Sequence, residues 1–107
     1  MWEITDPAIK RTIKGFAERS HLVRWSGYAE RDIASTRGVT KQAVLDGILE
    51  HLACDYSVHA DHMSNGDLAY IFHCFVGLGR LYVKLKFITL VPDAEEVMNI
   101  FSAHKDR

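Results

Sequence analysis

The apolar residues of this chain change their period once, near Ala53, and that switch constrains the fold more than any motif does. Before it they recur at three- and four-residue intervals, which gathers them on one side of a helix. Ile9, Ile13, Phe16 and Ala17 form one such stripe, and Val44, Leu45, Ile48, Leu49 and Leu52 form another. After it they alternate, the pattern of a strand with one buried face. The stretch "GRLYVKLKF", Gly79 to Phe87, shows this most sharply: Leu81, Val83, Leu85 and Phe87 are apolar, while Tyr82, Lys84 and Lys86 lie between them. Helices followed by strands, without interleaving, predict an α+β domain and not a parallel α/β sheet.

Local punctuation divides the two halves. Thr5-Asp6-Pro7 predicts a helix start, with a side-chain acceptor ahead of Pro at the first helical position, and the helix is expected to end near Ser20. "HLVRW", His21 to Trp25, reads as a short extended link. Ser26 predicts the cap of a second helix running to about Thr36, with Gly38 beyond it, and Thr40 predicts the cap of a third. Four strands follow: "CDYSVHA", "LAYIFHCFV", "RLYVKLKFITL" and "VMNIFSA", joined by turns at "SNG" and "GLG" and by a loop led by Pro92 and Asp93. The expected architecture is two to three N-terminal helices packed on one face of a four-stranded antiparallel sheet, its other face open. With no repeat and no Pro/Gly/Ser linker, residues 1–107 are expected to form a single domain.

Composition bounds the class. A chain of 107 residues buries enough surface to fold without a metal or disulfide. It has no apolar run near the ~20 residues a membrane helix needs. The opening "MWEITDPAIKR" lacks the basic start and apolar core of a signal peptide, so a cytoplasmic protein with no membrane partner is expected, its Cys54 and Cys74 free and mostly buried. The net charge of −1 hides a segregation. Lys10 to Lys41 carries eight Lys or Arg against three acids, whereas Gln42 to Gly79 has five acids and no Lys or Arg. That distribution describes either a basic patch for an anionic ligand or two solvated helix faces of opposite sign.

Several residues together carry a resemblance. The N-terminal helical pair, the Asp55-Tyr56 strand opening, the "LYVKL" strand and the final "FSAHKD" resemble the MqsR-like toxins of the RelE-like superfamily, over roughly Val23 to the C-terminus. The resemblance implies a RelE-like fold and the toxin of a type II toxin-antitoxin system, a metal-independent endoribonuclease (mRNA interferase). It implies no cofactor, mRNA as substrate on or off the ribosome, and a cognate antitoxin as protein partner. Tyr82 and Lys84 match the family's central-strand aromatic and lysine, and His104 with Lys105 falls where the family has a terminal basic catalytic residue. The chain departs from the pattern at Val58, where a Lys is usual, and at His73, where a Gln-Asp pair is expected.

Cleaving RNA without a metal requires a base for the ribose 2′-hydroxyl, an acid for the leaving 5′-oxygen and positive charge beside the phosphorane. His104, Lys84, Tyr82 and His73 are the candidate catalytic residues; Lys86, Arg80, Lys105 and His59 are candidates for RNA binding. Tyr82 can stack a base or donate a proton. The alternative is a non-catalytic module of the same fold that binds RNA or protein, with Lys84 and Lys86 on a solvated sheet face where lysine discourages edge pairing. A zinc site is not expected, because His59-x-x-His62 has no second matching pair, and "GLG" closes a hairpin where a phosphate cradle would open a helix.

Overall fold

Each helix begins where a side-chain oxygen reaches an otherwise unpaired backbone N–H. In the computed structural model, which describes residues 1–77, 79–89 and 95–106, Asp6 accepts from Ala8 N at 2.9 Å and starts α1 (Pro7–Ala17). Ser26 accepts from Ala29 N at 3.1 Å and starts α2 (Gly27–Ser35). Thr40 accepts from Ala43 N at 3.0 Å and starts α3 (Lys41–Ala53). Between α1 and α2 lie a 3-10 turn (Ser20–Leu22) and a short strand, so α1 stops at Ala17, earlier than Ser20.

The sheet has six strands and is mixed, where a four-stranded antiparallel sheet was expected. Strand β1 is Trp2–Glu3, β2 Val23–Trp25, β3 His59–His62, β4 Leu68–Val76, β5 Gly79–Thr89 and β6 Glu96–Lys105, arranged β1-β3-β4-β5-β6-β2. The meander β3 to β6 is antiparallel; β1 adds antiparallel to β3, and β2 adds parallel to β6. At two and three residues, the added strands are too short to show a period. Non-local bonds secure them: beside β1, Ile4 N donates to Val58 O at 2.7 Å and the Ser57 hydroxyl donates to the Glu3 carboxylate, and just after β2 Ser26 N donates to Ile100 O at 2.9 Å.

Strand β3 starts at His59 and not at Cys54. Asp55 takes a φ of 55°, a left-handed conformation that interrupts extension, and Tyr56 N donates back to His51 O at 3.1 Å to close α3. The "SNG" turn holds, with Gly66 at φ 89° and Met63 N donating to Asp67 O at 2.7 Å. Of the other expected connections, Leu78 in "GLG", residues 91–94 of the Pro92-led loop and Arg107 lie outside the described residues.

Tyr70, Phe72, Cys74 and Val76 of β4, Leu81, Val83 and Leu85 of β5, and Met98, Ile100 and Ala103 of β6 join Ile13, Ala17, Ala29, Val44, Leu45 and Ile48 of the helices in one core. The helices are not simply layered on one face. Helix α2 runs along β6 where β2 ends: Ser26 N donates to Ile100 O at 2.9 Å, and Asp32 accepts from Ala103 N at 3.1 Å. Ala29 enters the core from this position, while Tyr28 and Asp32 border a cavity on the opposite sheet face. Cys74 is buried as expected, but Cys54 is exposed, because it caps the end of α3 outside the core.

Helix α3 approaches β4 at Gly47, where an added Cβ would meet Val76 Cγ2 at 2.8 Å and the Phe75 carbonyl oxygen at 2.9 Å. At Gly15 on α1 nothing lies within 4 Å. Gly15→Ala is therefore expected to raise stability by up to about 1 kcal/mol through helix propensity alone. Gly47→Ala gains the same propensity but overpacks against backbone, at about 1–3 kcal/mol, and is expected to lower the denaturation midpoint. Urea titrations of the two variants check the opposite signs.

Candidate active site

Alternation on β5 sends Leu81, Val83 and Leu85 into the core and Arg80, Tyr82, Lys84 and Lys86 to the other face. The cross-strand register then assembles a row. His73 of β4 is opposite Tyr82, and Tyr82 is opposite His104 of β6. The His73 ring meets Tyr82 edge-on at 5.5 Å and 75°, and His104 stacks on Tyr82 at 4.9 Å and 15°. Burial, then the Asp61 carboxylate, raises the Tyr82 phenol above its ordinary value, so its hydroxyl stays protonated at neutral pH.

Both imidazoles are tethered through Nδ1. His73 Nδ1 lies 2.8 Å from Asp106 Oδ2, and His104 Nδ1 lies 3.1 Å from the Lys105 carbonyl oxygen. Since each partner is an acceptor, each Nδ1 carries the hydrogen and Nε2 is left to exchange a proton. Asp106 also has Arg80 Nε at 3.7 Å, and its own N–H donates to Arg80 O at 2.9 Å. Neither Asp106 nor its contact to His73 was foreseen, because a tail residue gives no sequence signal of the strand it lies beside.

A cavity of about 510 Å³ adjoins the row, bordered by His104, Lys84, Lys86, Phe101 and Ser102 of the sheet and by Tyr28 of α2. The Lys84 and Lys86 ammonium groups sit 5.9 and 5.8 Å from the centroid of the Phe101 ring. Lys86 is paired with Asp67 at 2.8 Å, which holds that carboxyl below its usual range, whereas among the described residues no carboxylate is within ion-pair distance of Lys84. Phe101 was not expected here; it is the extra residue of a bulge, since Lys84 pairs with Ser102 while Leu85 pairs with Ile100.

A second cavity, about 370 Å³, lies on the His73 side of the row and includes His59, His51, Tyr56, Phe75 and Arg80. Lys105 is placed elsewhere. It pairs across from Leu81, so it leaves the face of His104 and borders a different cavity with Arg37 and Val76. His59 and His62 project to opposite faces of β3, His62 against Trp2 at 5.3 Å, so they do not converge. Among the described residues no group of three or more His, Cys, Asp or Glu is arranged to hold a metal ion. Among them too, no helix is long and apolar enough to cross a membrane. Within the acidic middle of the chain, Asp55 pairs with Lys10 at 3.4 Å and Asp67 with Lys86 at 2.8 Å.

No family model, curated protein or solved structure matches the chain.

His51 anchors the second cavity from α3. Its Nε2–H donates to Ser57 O at 2.8 Å, its ring lies edge-on to Tyr56 and Phe72, and its buried Nδ1 has no partner among the described residues. Burial chiefly, with the positive charges of His73, Lys10 and Arg80, lowers its pKa from 6.5 against the raising effect of the Ser57 bond. The unfolded chain therefore binds a proton that the folded chain resists. Stability is unaffected at higher pH and declines as pH falls through 6.5 toward the lower folded value. His51→Gln keeps an N–H donor for Ser57 and removes the titration, so its denaturation midpoint should fall less between about pH 7 and 5. Burial also pushes the Cys74 thiol up to about 11. A disulfide reagent should titrate Cys54 alone in the native protein and both thiols in denaturant.

Proposed function

We infer that the protein is a metal-independent endoribonuclease cleaving single-stranded mRNA, the toxin of a type II toxin-antitoxin pair with a RelE-like fold. The reading is carried by one observation, the His73–Tyr82–His104 row beside Lys84 on an uncovered sheet face. Two tethered imidazoles on either side of a protonated phenol supply what transesterification of RNA requires.

His73 Nε2 takes the proton of the 2′-hydroxyl, and the Asp106 carboxylate on Nδ1 holds the ring and stabilises the imidazolium that forms. The 2′-oxygen bonds to phosphorus while the bond to the 5′-oxygen breaks. His104, entering protonated, gives its Nε2 proton to that oxygen, so the products are a 2′,3′-cyclic phosphate and a 5′-hydroxyl. Lys84 stabilises the charge on the phosphorane, and the Tyr82 hydroxyl donates to a non-bridging oxygen. A cognate antitoxin covering this face or the basic helical segment would silence the enzyme.

A non-catalytic binding module is the second reading, favoured by the carboxylates that surround the face: Asp67 on Lys86 and Asp106 on Arg80 leave fewer cations for phosphate.

A labelled single-stranded RNA decides between them. Wild type is expected to release cyclic-phosphate ends and to leave uncut a substrate with 2′-deoxyribose at the scissile position. His73→Ala and His104→Ala should each lower kcat by about 10²–10⁴-fold, the range for losing a positioned acid or base. Lys84→Ala should lose about 10²–10³-fold. RNA bound by wild type without any product, under every buffer tried, selects the binding module.

A further inference from the structure

The second cavity has features that the cleavage chemistry does not use. Strand β4 continues from Phe72 to Val76 beyond its last β3 partner at Ile71, so one flank of the sheet opens there. Two large aromatic residues stand at that opening with much of their surface in water, Phe75 at 60% and Tyr56 at 50% exposure. Phe75 shares the open face with Ala69 and Ile71, which are buried, and its own ring is left uncovered. Arg80 lies opposite Phe75 across the ladder with its guanidinium 5.6 Å from the ring centroid, forming a flat cationic edge to the aromatic wall. Inside, His51 is neutral and contributes ring surface in place of charge.

We propose that this cavity is a nucleobase subsite, receiving the base of the nucleotide next to the scissile phosphate. The proposal rests on the RNA-cleaving reading of the open face and adds where the neighbouring base is held. Aromatic surfaces with one guanidinium suit a flat, weakly polar ring better than a phosphate, which would need several converging donors. At 370 Å³ the cavity is of small-ligand size, and concave where a protein-docking face would be broad. Its spacing also fits. The Phe75–Arg80 pair follows the His73–Tyr82 pair by two residues along the strand, about 6.6–6.8 Å, close to one nucleotide of extended backbone. His73 borders the cavity and belongs to the catalytic row, so a phosphate at the row and a base in the cavity are contiguous.

The test uses the full chain and a short RNA made uncleavable by 2′-O-methylation, with an abasic site moved one position at a time. Wild type is expected to lose about tenfold or more in affinity when the abasic site falls at one position beside the scissile phosphate, the scale of a single base–aromatic stack. In Phe75→Ala and in Tyr56→Ala, both exposed enough to be replaced without opening the core, that position-specific loss should shrink to less than about twofold. The intact RNA should bind these variants as weakly as the abasic RNA binds wild type. If RNA is bound and cleaved but no single position shows the penalty, or the variants retain it, the subsite is overturned and the ribonuclease reading stands. If the wild-type chain binds no RNA, both fall together.

Discussion

Strand β5 is held on both sides along its length, by β4 from Gly79 to Leu85 and by β6 from Leu81 to Thr89. That double pairing is the constraint on which the rest depends. In a strand, a slip of one residue exchanges the faces, and here it would drive Tyr82, Lys84 and Lys86 beneath the helices while expelling Leu81, Val83 and Leu85. The fully buried Val83 and Leu85, packed in the core with Phe72 and Ile100, oppose such a slip by the cost of exposing them. Position of the catalytic candidates is thus enforced from behind, by apolar residues that take no part in chemistry.

Strand β6 needs one further device. Ile100 packs in the core opposite Leu85, and simple alternation from there would send His104 into the core as well. The bulge at Phe101 adds a residue and reverses the parity, so that Ser102 and His104 share the open face with Lys84 and Tyr82 while Ala103 turns inward against Val83. The same reversal carries Asp106 toward Arg80 and His73, and Lys105 away from them. Asp32 accepting from Ala103 N satisfies a backbone donor on the edge where β2 has ended, so α2 stabilises the strand beyond the irregularity.

These two strands show how far the sequence could be read. The faces of β5 were legible because its alternation is unbroken over Leu81 to Phe87, and the helix caps Asp6, Ser26 and Thr40 because capping is local chemistry. Pairing of His73 with Tyr82 was not, since residues nine positions apart meet only through a register that the turn and the core jointly set. The parity change at Phe101 was hidden for a related reason: "NIFSA" contains no glycine or proline to mark a bulge. Strand β1 and the pairing of the extended Val23–Trp25 into the sheet escaped because two or three residues carry no period, and the start of β3 was misplaced because a left-handed Asp55 looks like any other aspartate in the sequence.

The near-neutral charge of the chain agrees with this arrangement. Asp67 occupies Lys86 and Asp106 holds Arg80, so two of the cations facing the sheet surface have carboxylate partners. Lys84 has none among the described residues and lies over Phe101. A surface of this kind gains little from counterion release, the source of most affinity in strongly basic nucleases. On the proposed ribonuclease reading, attraction for RNA would come chiefly from stacking, for which the structure offers Phe101 beside the lysines, Tyr82 between the histidines, and Phe75 and Tyr56 at the flank. Stacking requires unpaired bases, so on that reading a face with few free cations would favour single strands over duplexes.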